Sequence, residues 1–277
     1  MLARFSERDN DQKGAISYRE LADKIFRLQN DTESEDFYDN LYNLYLDYGT
    51  CGEYMKLISV FPAIEEWVAS TYGSGSDELF QVLITAHDGY VYTYNKSDAL
   101  KVDEKIQTFT NKPASLGLFM KASVHSQFNE YDQAQDLLKQ CLDEILENPT
   151  EDEKRLIPLC YNSLGYVVME YDLEGAVGYL QKAIEYNNKY LTGKQGANID
   201  PLVNLGMVHY KSGAYLEAVK YFNEALSHSQ QTQNIYKAAL CLNNIGLCYL
   251  YSGNQVKGIR VLEDALKLAE EHSGKLS

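Results

Sequence analysis

A chain of 277 residues with 45% hydrophobic and 23% charged side chains can bury a sizeable core, and that balance excludes a disordered polymer. Its 25 Lys and Arg against 40 Asp and Glu leave a net charge of -15, which repels nucleic acid and anionic lipid and argues against both as partners. Residues 1–8 hold no apolar run with a cleavage pattern, and no stretch approaches the roughly 20 apolar residues that span a bilayer, so neither secretion nor membrane insertion is expected. The five cysteines, Cys51, Cys141, Cys160, Cys241 and Cys248, are odd in number, widely spaced and form no CxxC pair. They read as small core residues of a protein in a reducing, cytoplasmic compartment.

In chain order, the first feature is Asp9-Asn-Asp11-Gln-Lys13-Gly14-Ala15-Ile16-Ser17-Tyr18-Arg19-Glu20, which resembles the twelve-residue calcium loop of an EF-hand. A hard cation needs oxygen ligands. The resemblance assigns carboxylates to Asp9 and Asp11, a backbone carbonyl to Ala15, a direct or water-mediated contact to Ser17 and a bidentate carboxylate to Glu20. Residues 1–30 would then form a short EF-hand-like helix-loop-helix, with Leu21, Ile25 and Phe26 on its exiting helix, and calcium would be the one cofactor. Lys13 stands where an oxygen donor is usual, and no second loop is visible to pair with this one.

Residues 31–112 read as degenerate helical hairpins. Asp36 to Asp47 is a helix rich in Leu and Tyr, closed by Gly49 and Gly52. Tyr54 to Tyr72 follows, with Pro62 expected to kink it or start a new helix. A second pair runs from Asp77 to about Asn95, with Gly89 as a weak spot, and from Ser97 to Phe109, capped by Ser97 or Asp98. The Gly-Ser-Gly-Ser run at 73–76 is the best linker candidate, although it is short enough for a turn.

Residues 113–277 repeat themselves. Tyr161-Asn-Ser-Leu-Gly165, Leu202-Val-Asn-Leu-Gly206 and Leu242-Asn-Asn-Ile-Gly246 align, each followed by a small pair with a bulky residue between: Ala176, Leu180, Ala183; Ala218, Phe222, Ala225; Gly258, Leu262, Ala265. An earlier copy has Ala122, Ala134, Leu138 and Cys141, so the anchors at 122, 165, 206 and 246 are 43, 41 and 40 residues apart. Small residues let two helices approach, and the bulky residue fills the groove between them. Asn129-Glu130, Asp172, Ser212-Gly213 and Ser252-Gly253 mark the turns.

Leu205, Gly206, Gly213, Tyr215, Ala218, Phe222 and Ala225 resemble the signature of the tetratricopeptide repeat, over roughly residues 115–271. The period is about six residues longer than the common one, as in the kinesin light chain and bacterial peptide-sensing regulators. The resemblance implies an all-α, right-handed α-solenoid of about six helical hairpins. It also implies peptide binding in a groove lined by the first helix of each hairpin. On that basis the peptide-binding candidates are Asn162, Asn204 and Asn244, with Tyr166, Met207, Tyr210 and Tyr251 one turn away, joined by Met169 and Leu250. An amide donates and accepts, so a row of them can pair with an extended backbone whatever its side chains.

The five histidines (87, 125, 209, 228 and 272) make no metal-ligand pair at helical spacing, and no phosphate-cradling loop, GxSxG elbow or HExxH motif occurs. His209 is read as a packed residue rather than a pH sensor. The expectation is therefore a non-catalytic scaffold or adaptor that binds a protein or peptide, responds to calcium if the first loop is competent, and favours basic segments through its charge. The alternative is the sensor part of a larger signalling protein, lacking its effector domain.

Overall fold

The computed structural model describes residues 12–110, 112–193 and 196–275, with side chains from Gly14 to Glu270 within them. Among these residues there are thirteen helices and no strand. They fall into two compact units, one ending at Phe128 and one beginning at Asn129.

The first unit contains α1 (Gln12–Leu28), α2 (Glu35–Cys51), α3 (Tyr54–Tyr72), α4 (Asp77–Tyr92), α5 (Lys96–Ile106) and α6 (Ala114–Gln127). Consecutive helices pack, and α2 also touches α4, so α2/α3 and α4/α5 are stacked hairpins. Their core joins Leu41, Leu44, Tyr45, Leu57, Phe61, Ile64, Leu83, Val102 and Ile106. Tyr45 is fully buried, and its hydroxyl donates to the Val82 carbonyl at 2.6 Å, tying α2 to the backbone of α4. A phenol can be buried this deeply only because that proton finds an acceptor.

Local chemistry sets the helix ends. Ser34 and Ser76 accept from the backbone N–H groups of Phe37 and Leu79, each at 3.2 Å, and so cap α2 and α4. Gly73-Ser-Gly-Ser76 is thus the turn between two hairpins of one unit. Asn95, rather than Ser97 or Asp98, caps α5 by accepting from Asp98 N. Gly52, at φ 73°, ends α2.

No new helix starts at Pro62, and two expected stops are absent. The α3 helix continues through Pro62, which faces solvent, where the carbonyl left without a donor can turn to water. Gly49 and Gly89 lie inside their helices, where each permits a close approach instead of a stop. A Cβ on Gly49 would sit 2.9 Å from Thr85 Cγ2, and one on Gly89 would sit 2.9 Å from Leu57 Cδ2.

The N-terminal loop also requires correction. Residues 12–20, most of the expected calcium loop, belong to the continuous helix α1. A helical Ala15 commits its carbonyl to the backbone ladder, and its side chain is buried with Ile16 against the core. Ser17 points to solvent. Glu20 Oε1 accepts from Tyr48 Oη at 3.0 Å and Lys56 Nζ at 2.8 Å, so its carboxylate is a packing contact between α1 and the α2/α3 hairpin. Arg19 pairs with Asp47 beside it. Asp9 and Asp11 lie outside the described residues. The apolar stripe that buries Ala15, Ile16 and the Arg19 stem outweighs the loop pattern, because burial of a helical face stabilises more than one empty oxygen cage.

His87 on α4 and Asp103 on α5 are buried together, with Nε2 3.3 Å from Oδ1 but without hydrogen-bond geometry. Burial pushes the Asp103 carboxyl up to about 6, against the opposing pull of His87 and Lys121. A carboxyl raised in the folded state carries a penalty once ionised, fully present above its folded pKa and absent below the unfolded value of about 4. Asp103→Asn should therefore raise stability near pH 7.5 by on the order of 1–3 kcal/mol and be close to neutral near pH 4. Urea unfolding at the two pH values checks this, and equal effects at both would contradict it.

The second unit contains α7 (Tyr131–Ile145), α8 (Glu153–Val168), α9 (Leu173–Tyr190), α10 (Ile199–Lys211), α11 (Tyr215–Gln231), α12 (Ile235–Tyr251) and α13 (Gln255–Lys275). Its hairpins are α8/α9, α10/α11 and α12/α13, and the first helices α8, α10 and α12 also touch in succession. The small anchors do what their spacing predicts. A Cβ on Gly165 would meet Leu180 at 2.5 Å, one on Gly206 would meet the Phe222 ring at 2.5–2.7 Å, and one on Gly246 would meet Leu262 at 2.7 Å. Each bulky residue of a second helix fills the gap left by the glycine of the first. Gly213 (φ 79°) and Gly253 (φ 87°) make the turns in the left-handed conformation.

Candidate functional site

The face that a hairpin leaves free follows from the face it buries. Successive helical residues are about 100° apart, so Asn204, two residues before Gly206, points nearly opposite the Phe222 contact. Asn204 is half-buried, and its Nδ2 donates to Asn162 Oδ1 on α8 at 2.9 Å, across 42 residues of sequence. The residue of α8 that meets the row is thus Asn162, one position ahead of Ser163, which holds the register of Asn204 relative to the glycine. Asn244 holds the same register on α12, half-buried beside exposed Asn243. The contact between Asn162 and Asn204 uses one acceptor and one donor of the pair, and an amide side chain has two of each. Capacity therefore remains for a ligand on both.

Two charged contacts flank this amide pair. Lys211 Nζ on α10 reaches Glu170 just past α8 at 2.9 and 3.0 Å, and Lys237 Nζ on α12 reaches Asp200 on α10 at 2.5 Å. Exposed pairs contribute little stability, on the order of 0–1 kcal/mol each. They do, however, fix the register of successive first helices. Sequence reading missed both, although the opposite charges of Glu170 and Lys211, 41 residues apart, match the repeat period and would have signalled the first.

The aromatic candidates divide. Tyr166 and Tyr251 are 45% and 62% exposed and can contact a partner. Tyr210 is half-buried, edge-on to Tyr251 and Tyr215 at 5.7 and 5.6 Å, while Tyr215 stacks on Tyr251 at 5.7 Å. These three rings brace one another at the end of α10 and α12. Burial raises the Tyr210 phenol above its ordinary range, and its hydrogen bond with Tyr251 adds to the effect. Met207 is half-buried against the core and offers one flank only. Met169 and Leu250 do not belong to the face. Met169 is buried with Val168, Ala176, Leu180, Leu205 and Val208, and Leu250 fills the gap at Gly258. Leu159 and Tyr236, 50% and 69% exposed on α8 and α12, are apolar surface that the motif search passed over.

His209 stacks on Tyr221, with centroids 5.0 Å apart and planes 7° apart, as a packed residue does. The cysteines Cys141, Cys160, Cys241 and Cys248 are buried as thiols, outside any disulfide, and burial pushes the last two up to about 11. Cys141 and Cys160 face one another across α7 and α8, with sulfurs 3.4 Å apart. Among the described residues no group of three or more His, Cys, Asp or Glu side chains could hold a metal ion, and no helix is long and apolar enough to cross a membrane.

Tetratricopeptide-repeat family models match residues 118–153 and 198–271. No curated protein sequence matches the chain. Among solved structures the chain is similar to BtubC (BKLC) from P. vanneervenii, with 14% identity and a TM-score of 0.62 over 80% of this chain and 92% of that one. It is similar to the Cut9–Hcn1 hetero-tetramer of the APC/C, with 16% identity and a TM-score of 0.60, over 95% of this chain and 48% of that one. The apo form of RapI gives 14% identity and a TM-score of 0.58, over 85% of this chain and 66% of that one. At such identities the likeness is one of fold. Residues 118–153 and 198–271 therefore carry tetratricopeptide repeats within an all-α, helical-repeat fold.

Proposed function

We propose that the chain is a non-catalytic binding scaffold whose second unit holds an extended peptide segment of a partner protein along α8, α10 and α12. Asn162, Asn204 and Asn244 would pair with the peptide backbone, and exposed Tyr166 and Tyr251 would contact its side chains. The observation that carries this reading is the Asn204–Asn162 contact, which sets two half-buried amides side by side on neighbouring first helices. An asparagine in mid-helix is unfavourable for the helix itself, so its repetition at this register calls for a role beyond folding. The net charge of -15 favours encounter with basic segments, an effect that salt would weaken.

Calcium has no step in this proposal, because Ala15, Ser17 and Glu20 are held in a helix. A screen of basic and neutral peptides against the intact chain should give saturable binding, unchanged by millimolar calcium. Each of Asn204→Ala and Asn244→Ala should raise Kd about tenfold, the loss of roughly one well-made hydrogen bond. Unfolding midpoints would stay near the parent value. Affinity indifferent to both substitutions would refute the amide row.

A further inference from the structure

In the first unit, α2 and α4 border a cleft of about 390 Å³, lined by Leu46, Gly49, Thr50, Tyr54, Thr85 and Asp88. Gly49 lets the two helices close together at its floor, with Thr85 Cγ2 only 2.9 Å from where a Cβ would stand. The Tyr54 ring stacks on Tyr92, with centroids 4.7 Å apart and planes 10° apart, and Tyr92 is more than half exposed. Leu46 and the threonines add apolar wall.

Asp88 is the charge in this cleft. Several acidic side chains elsewhere in the unit meet a base, among them Asp47 with Arg19, Glu20 and Glu53 with Lys56, Glu65 with Lys105, and Asp98 with Lys101, whereas Asp88 stands in the cleft wall. Asp88 has no Lys or Arg partner among the described residues. Its carboxylate has only the His87 Nδ1 at 3.4 Å, and 58% of the side chain is exposed. An uncompensated carboxylate beside a stacked phenol pair, above an apolar floor, matches a planar cation carried on an aliphatic stem.

We propose that this cleft takes an arginine side chain from a basic segment of a partner protein. The guanidinium would donate two parallel hydrogen bonds to the Asp88 carboxylate and lie against the tyrosine pair, with its methylene stem over Leu46 and the Thr50 and Thr85 methyl groups. Arginine fits better than lysine because its flat, weakly hydrated fork both stacks on a ring and matches a carboxylate. The site is independent of the amide row in the second unit, and either can fail without the other.

The test is a titration of the intact chain, labelled with ¹³C at threonine methyls, with the peptide acetyl-Ala-Arg-Ala-amide. The Thr50 and Thr85 methyl resonances should shift saturably. The citrulline analogue, of the same shape without the charge, should leave them in place, and the lysine analogue should bind several-fold more weakly. Asp88→Asn should weaken arginine binding by about fivefold or more, while Asp36→Asn, an exposed change of equal charge on α2, should alter it by less than about twofold. Absence of saturable shifts in the parent chain would overturn the proposal. So would equal binding of the citrulline or lysine peptide, or equal weakening by the two substitutions.

Discussion

Phe222→Ala is expected to lower the unfolding free energy by about 3–5 kcal/mol, read as a large fall in the urea midpoint. The side chain is fully buried on α11 and packs among Val203, Ala218, Val219, Ala225, Cys241 and Ile245, which come from three successive helices. Truncation removes the ring from all of them at once. It also leaves a cavity at the Gly206 gap, where backbone on one side limits collapse. The partner-facing amides are not touched directly. Weakened peptide binding by this variant should therefore track the fraction unfolded rather than a lost contact.

The reverse perturbation comes second in size. Gly206→Ala would place a methyl group 2.5–2.7 Å from three carbons of that same ring. Alanine favours a helix over glycine by up to about 1 kcal/mol, so in an exposed helix this substitution would stabilise. Here overpacking costs about 1–3 kcal/mol, and the immobile ring puts the value at the upper end, leaving a net loss of about 2 kcal/mol. Gly246→Ala should cost less. Its opposing residue, Leu262, is only half-buried on α13 and has room to turn aside. Chemical denaturation of the two variants side by side should rank Gly206→Ala as the more damaging.

The repeat frame is legible in the sequence because close helix approach imposes a strict demand: no Cβ at one position and bulk at another, at a fixed period. Gly165, Gly206 and Gly246 meet that demand together with Leu180, Phe222 and Leu262. Where the same residue type serves a different geometry, local reading fails. Gly49 and Gly89 look like helix stops by propensity, yet each accommodates a side chain from the neighbouring helix, a fact held by residues 57 and 85 rather than by the glycines' own surroundings. The segment from Asp9 to Glu20 satisfies two patterns at once, oxygen ligands at loop spacing and apolar residues at helical spacing. Only the packing of α1 on α2 decides between them for the described part.

The candidate face was partly legible for the same reason. Asn204 and Asn244 follow from the register of the glycines, whereas Asn162 stands one residue ahead of that register and joins Asn204 through the 2.9 Å contact. Met169 and Leu250 share helical spacing with the exposed tyrosines but turn into the hairpin. A one-turn offset cannot by itself separate a groove wall from a core wall. Asp88 carries no motif at all, since its significance lies in its place on the cleft wall beside Tyr54.

The interlock between first and second helices is the claim on which the exposed face depends, and a double-mutant cycle at Gly206 and Phe222 tests it most directly. If the ring fills the space that glycine vacates, Gly206→Ala should cost about 2 kcal/mol in the parent chain and become neutral or mildly stabilising once Phe222→Ala has emptied that space, a coupling above about 1 kcal/mol. Additive losses, with the same cost in both backgrounds, would contradict that packing.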